Sequence, residues 1–169
     1  MVSKMINKNI KNITMAAMFV ALNCIATMII KIPSPFKGYV NLGDCVVILS
    51  GLMMPPAYGF FSAGIGVALA DVFSGYTIYA PATFIIKGLM ALFVNLSFNY
   101  LKGKTKVMYA KIIVMFFAEI IMIAGYFLFE SVLYGVVPSL INIPINGVQA
   151  IFAVISGYFI SGIMDLKKY

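Results

Sequence analysis

The sequence predicts an all-α integral membrane protein: a six-transmembrane-helix bundle, N and C termini cytoplasmic, forming a single domain over residues 1–169. Three observations predict it. The chain is 63% hydrophobic and only 10% charged, with a mean hydropathy of +1.04, against roughly 45–50% apolar and 25% charged in a soluble domain. So apolar a chain has too few polar groups to cover a water-facing surface. Its apolar residues gather in six runs, and the basic residues, all of them lysine, fall almost entirely between those runs.

The first run, 13–30, follows Lys4, Lys8 and Lys11. It is longer than a signal-peptide core, and no small-residue cleavage site follows it. Cys24 is preceded by Asn23, which disfavours lipoprotein processing, so this helix is expected to stay. A polar segment rich in Pro and Gly covers 31–44. The second run, 45–54, stops at Pro55-Pro56, and the third covers 57–73. After a loop over 74–81 come runs at 82–101, 111–134 and 143–164. The prolines could kink one long span or turn the chain back, and the lysines decide between these. Nine of the twelve basic residues lie before helix one, in the 102–111 loop, or at Lys167 and Lys168. A turn at the prolines puts all three clusters on one side, as the positive-inside rule requires. The second helix is then about half the roughly 20 residues that a straight crossing needs, and protein must shield it.

Composition also excludes functions. There is no histidine, and Cys24 and Cys45 are the only cysteines. His-based acid–base catalysis, haem and Cys/His zinc sites are absent, and neither Ser/His nor Cys/His sets exist, so no enzyme, cofactor or metal site is expected. Gly103-Lys104-Thr105 imitates the end of a phosphate loop, but Phe98 stands where that motif needs glycine. The net charge of +7 reads as topology, not nucleic-acid binding. The partner expected from composition is the lipid bilayer.

Ionisable and amide groups inside a membrane are costly and mark candidate sites. Glu119, Tyr126 and Glu130 are spaced i, i+7, i+11 on helix five. Asn142, Asn146, Gln149 and Ser156 follow one another by four, three and seven on helix six. At 3.6 residues per turn each set forms a stripe, and facing stripes imply a shared polar cavity toward the outer face. Asn95 and Ser156 are read instead as glue between helices. Asp71 and Lys87 could pair across the 74–81 loop. Glu119, the deepest, could bind a substrate donor, carry a proton, or pair with Lys87. Tyr58, Tyr100 and Tyr109 suit interfacial anchoring. Tyr39, Tyr76 and Tyr79 converge on the mouth of the cavity and suit a flat ring. Helix three carries small-residue ridges, Gly59/Ala63/Val67 and Ser62/Gly66/Ala70, that suit internal packing. Ala17 and Ala21 on helix one could face another protein.

Four segments carry a family resemblance: Ile32-Pro-Ser-Pro-Phe-Lys-Gly-Tyr-Val-Asn-Leu-Gly-Asp44, Tyr79-Ala-Pro-Ala-Thr-Phe-Ile-Ile-Lys-Gly-Leu-Met90, Glu119 through Glu130-Ser-Val-Leu-Tyr-Gly135, and Ile143-Pro-Ile-Asn-Gly-Val-Gln149. In this order they resemble the substrate-binding S components of energy-coupling factor (ECF) vitamin transporters, in the riboflavin, hydroxymethylpyrimidine and pyridoxine branch. Ile145 departs from the pattern, since relatives commonly have glycine there. The resemblance implies high-affinity capture of a water-soluble vitamin or precursor at the cell membrane, with a transmembrane coupling subunit and two ATPase subunits as partners. It implies that Ala17 and Ala21 face the coupling subunit and that residues 33–44 form a lid. With the stripes, the expected substrate-binding set is Tyr39, Asn41, Asp44, Tyr76, Tyr79, Lys87, Glu119, Tyr126, Asn142, Asn146 and Gln149. The short chain and the amides lean toward a small pyridine or pyrimidine ring. The alternative is a stand-alone proton-coupled transporter or channel using Glu119 and Asp71. Inverted repeats would support it, and the sequence has none.

Overall fold

A computed structural model describes residues 2–29, 31–33 and 39–166. Six helices follow in chain order: α1 (Val2–Ile29), α2 (Asp44–Met53), α3 (Pro56–Phe73), α4 (Ala80–Leu101), α5 (Val107–Tyr134) and α6 (Val136–Leu166). Five of them contain segments long and apolar enough to cross a membrane, and α2 is the short sixth. The protein is thus a multi-pass membrane protein of the expected class.

The segment between α1 and α2 is more regular than the sequence suggested. Strands β1 (Lys31–Pro33) and β2 (Tyr39–Asn41) pair antiparallel, with Lys31 opposite Asn41. The tip of this hairpin, which carries Phe36, Lys37 and Gly38, lies outside the described residues. The Asn41 side chain accepts a hydrogen bond from the Gly43 amide at 2.8 Å, an Asx turn that leads the chain from β2 into α2.

Met54 and Pro55 are both extended (ψ 152° and 150°), so the helix is broken and not merely bent. Pro56 opens α3, where a missing amide hydrogen costs nothing. A Cβ at Gly59 would lie 3.1 Å from the Ser50 carbonyl oxygen, so α3 folds back closely along α2. The shielding that a short helix requires is present: seven of the ten residues of α2 are buried, packed among α1, α3, α4 and α6. Asn95 on α4 donates to the carbonyls of Gly51 (3.0 Å) and Met54 (2.8 Å). The first lies in the last turn of α2 and the second on the residue just past its end, both without helical partners, and Asn95 satisfies them as helix glue.

The ridges of α3 pack inward. Every member, from Gly59 to Ala70, is buried. A Cβ at Gly66 would come within 2.6 Å of the Asn23 Cβ, so only glycine lets α1 approach this closely. On α1, Phe19, Asn23 and Thr27 face the bundle and are buried. Asn23 donates to Phe19 O (2.8 Å) and Ser50 Oγ (3.0 Å). Ala17 and Ala21 lie on the exposed side.

Two helix starts differ from the reading of the sequence. α5 begins at Val107, and Lys111, counted there as a loop residue, is buried and donates to the Ser161 carbonyl at 3.1 Å. It ties the start of α5 to the end of α6. α6 begins at Val136, directly after Gly135, which turns the chain with a φ of +89°, a conformation glycine takes without steric cost. Pro144 lies inside α6, where the apolar-run reading had placed its beginning. Ser156 hydrogen-bonds to Phe152 of its own helix at 2.6 Å, and its side chain also bonds to the Cys45 side chain of α2, so it joins helices as expected.

Topology has a direct check. In a background without the native cysteines, Thr77→Cys should react with an impermeant thiol reagent from outside the cell. Thr105→Cys should react only after the membrane is opened. Both positions are exposed loop residues. Labelling of Thr105→Cys from outside would contradict the turn at Pro55-Pro56.

Candidate functional site

The polar residues in the interior form a column that begins at the outer ends of α4, α5 and α6. Residues 79, 83 and 87 are spaced by four on one face of α4, and each holds a partner on another element. At the mouth, Tyr79 is buried, its ring 5.4 Å from Phe129 and 6.5 Å from Tyr134. Its hydroxyl donates to Glu130 Oε1 at 3.4 Å. Burial, then the neighbouring Tyr134 and Glu130, push this phenol well above its ordinary pKa, so it is a neutral donor. The Asn142 amide donates to the other oxygen, Glu130 Oε2, at 2.9 Å. Tyr76 lies half-buried beside Tyr79, with ring centroids 6.3 Å apart. The Lys31 ammonium reaches Ser74 Oγ and joins the β-hairpin to the second outer loop.

One turn further along α4, Thr83 and the Tyr126 hydroxyl lie 3.1 Å apart. Next comes Lys87, fully buried and ion-paired with Asp44, which is also fully buried. The expected Asp71–Lys87 pairing is therefore corrected. Asp44 stands in the first turn of α2, where the helix dipole favours an anion, and that turn is aimed at α4. Lys87 also lies 5.2 Å from the Tyr126 ring centroid, a cation–π distance. Gln149 completes the centre. Its Nε2 donates to Asp44 Oδ2, and its Oε1 accepts the Asn41 amide hydrogen at 2.8 Å. A single side chain of α6 thus holds both β2 and the start of α2.

Glu119 lies apart from these bonds. It is 2% exposed, and neither carboxylate oxygen has a hydrogen-bond partner among the described residues. It is not ion-paired with Lys87, which settles one of the readings left open by the sequence. It lies at the bottom of an open groove of about 350 Å³ between α5 and α6, whose other lining residues include Ile123, Gly147, Ala150 and Val154 and whose rim residues Phe116, Ile120, Ile151 and Ile155 are exposed on the outside of the bundle.

The two stripes are thus divided. Tyr79, Glu130 and Asn142 share one centre, and Asn41, Asp44, Lys87 and Gln149 share another, with Tyr126 beside Lys87. Asn146 is half-buried and makes no side-chain hydrogen bond among the described residues. Tyr39 is placed only through its backbone in β2, and its side chain lies outside what is described. Thr83 escaped the sequence reading, although its spacing of four from both Tyr79 and Lys87 was a usable signal. Among the described residues no group of three or more potential ligands could hold a metal ion.

Comparison with known proteins gives concordant similarities. The family described as "ECF-type riboflavin transporter, S component" matches residues 7–167. A protein of Pyrococcus woesei, described as an uncharacterized protein in a gap 3′ region, is 35% identical over 135 residues, spanning 79% of this chain and 87% of its own length. A solved structure described as the S component of a bacterial ECF transporter superposes with a TM-score of 0.68, covering 95% of this chain and 99% of that one. At 20% identity it speaks to the fold.

Proposed function

Because the chain belongs to the family of S components of ECF-type riboflavin transporters, and so is a substrate-binding subunit and not an enzyme, we propose that it captures a small, flat heterocycle from the outer face. The class is that of riboflavin, pyridoxine or hydroxymethylpyrimidine. A transmembrane coupling subunit and two ATPases then drive its uptake. A stand-alone proton-coupled carrier gives way to the family assignment.

The observation that supports this reading is the polar column itself. A largely apolar bundle keeps Tyr79, Glu130 and Asn142 at its outer mouth and Asp44, Lys87 and Gln149 beneath them. Buried polar groups are costly to retain unless satisfied, and here most are satisfied by one another. A ligand entering from outside meets aromatic edges at Tyr76 and Tyr79, then the Glu130–Asn142 pair. Asn146 has its amide to offer. Gln149 holds the β-hairpin through Asn41, so a ligand that competes for this amide is coupled to the position of the hairpin over the site. On this reading Tyr39, Asn41, Asp44, Lys87 and Tyr126 line or brace the same space and Glu119 serves it from its own groove between α5 and α6, while Ala17 and Ala21, outside the bundle, serve the coupling subunit.

Mass spectrometry of ligand retained through purification should identify a compound of this class. Asn146→Ala and Gln149→Ala should each weaken its binding by about 1–3 kcal/mol, the worth of a lost hydrogen bond to a buried group. Unchanged affinity in both variants would place the binding site elsewhere.

A further inference from the structure

We propose that the groove between the cytoplasmic ends of α4 and α5 holds one anionic phospholipid of the inner leaflet, with an acyl chain along the groove and the phosphate on the lysines of the adjoining loop. This partner is independent of the ligand captured at the outer face. The groove has a volume of about 550 Å³ and lies among Phe93, Leu96, Tyr100 and Leu101 of α4 and Ile113 and Phe117 of α5. Leu96, Tyr100, Ile113 and Phe117 are exposed, so in a bilayer this surface faces lipid tails. From Leu101 back to Phe93 it follows about 12 Å of α4, close to the ~15 Å of hydrocarbon in one leaflet.

Charge selects the headgroup. The loop that joins the two helices carries Lys102, Lys104 and Lys106 within five residues, and no acidic residue occurs between Asp71 and Glu119. The three lysines are exposed and form no ion pair among the described residues. Lys102 donates to Asn99 Oδ1 at 2.7 Å. The Lys104 ammonium sits 3.6 Å from the centre of the Tyr100 ring. This cation–π contact holds a positive charge on a residue that lines the groove. An apolar channel ending at a cluster of cations matches a molecule whose apolar chain ends in a phosphate. Each lysine near the membrane surface adds to the attraction for anionic lipid. A zwitterionic headgroup brings its own cation to the same cluster and fits it less well.

Shape selects a lipid over a transmembrane helix. Helices approach closely where small residues form a ridge, as Ala17 and Ala21 do on α1. Here the lining is aromatic and branched, and Ser97 is its one small side chain. Such walls leave an irregular furrow, which a flexible chain fills and a rigid helix does not.

Native mass spectrometry of the purified full chain tests this, with equal amounts of dioleoyl phosphatidylglycerol and dioleoyl phosphatidylcholine as probes. Wild type should retain one phosphatidylglycerol, preferred about tenfold or more over phosphatidylcholine. Lys104→Gln with Lys106→Gln should bring the preference close to one without lowering the melting temperature, since both side chains are exposed. Lys8→Gln with Lys11→Gln removes the same charge from the same side of the membrane and should leave the preference unchanged. Ser97→Phe fills the groove and should release the lipid. Equal retention of the two lipids by wild type would overturn the site. An equal fall in the Lys8 and Lys11 variant would do so too, because total charge alone would then count. Full retention in Ser97→Phe would place the chain elsewhere and overturn it as well. Displacement of the lipid by glycerol phosphate would assign the lysines to free phosphate instead. A dimer in place of a lipid-bound monomer, or loss of the lipid on assembly with the coupling subunit, would give the groove to a protein and overturn the proposal.

Discussion

Replacing Lys87 by methionine should destabilise the protein by about 3–5 kcal/mol, the usual effect of removing one member of a buried ion pair. Lys87 and Asp44 are both fully buried, so the remaining carboxylate would keep only the Gln149 amide. The damage should reach beyond α4, because Asp44 begins α2 and shares Gln149 with β2. Thermal melting in detergent reads the effect. A second substitution distinguishes lost charge balance from lost packing. Asp44→Asn in the Lys87→Met background removes the stranded charge and keeps an acceptor for Gln149. The double variant should therefore melt above Lys87→Met alone. If Lys87→Met melts with wild type, the pair is not part of what holds α2 to α4.

Ala17→Leu combined with Ala21→Leu should abolish ATP-dependent uptake with the partner subunits while leaving ligand affinity and melting temperature unchanged. Both alanines lie on the exposed side of α1, opposite Phe19, Asn23 and Thr27. Small residues there let another helix approach closely. Two leucines would push that helix away, costing about 1–3 kcal/mol of packing, at the contact proposed with the coupling subunit. The site, built from α2, α4, α5, α6 and the β-hairpin, is on other elements. Uptake at the wild-type rate would leave these alanines as ordinary lipid-facing residues. A fall in melting temperature together with affinity would mean that they pack within the bundle.

Much of this was legible in the sequence because membrane insertion simplifies it. Hydropathy locates helices, and lysines fix their direction, so the turn at Pro55-Pro56 followed from charge alone. Helix ends were less legible. Hydropathy fades at the membrane surface, but backbone hydrogen bonding does not stop there, so α5 and α6 each begin outside the apolar run that announced them. Periodicity placed polar stripes on α5 and α6, but the packed bundle divides them between two centres and leaves Glu119 apart. Spacing alone could not say which would satisfy one another. Lys87 was matched with Asp71 because they are close in sequence, whereas the partner, Asp44, arrives from the start of α2. That pairing depends on how deeply a ten-residue helix sits among its neighbours, a property of the packed bundle. The Asn23–Ser50 bond between α1 and α2 has the same origin.

The shortness of α2 has a mechanical consequence. Ten residues rise about 15 Å, half of a hydrocarbon layer about 30 Å thick. From the Pro55 break on the lysine-rich side, α2 ends near mid-depth, and the β-hairpin begins where lipid tails would otherwise be. Backbone at that depth survives only when its polar groups are paired, as the β1–β2 ladder and the Asn41–Gln149 bond provide. The floor of the site is therefore set by the protein, but the height of its rim is set by the surrounding lipids. A thicker bilayer raises the walls around the hairpin, and a thinner one lowers them toward the solvent. Acyl-chain length should then change how readily a ligand reaches the hairpin.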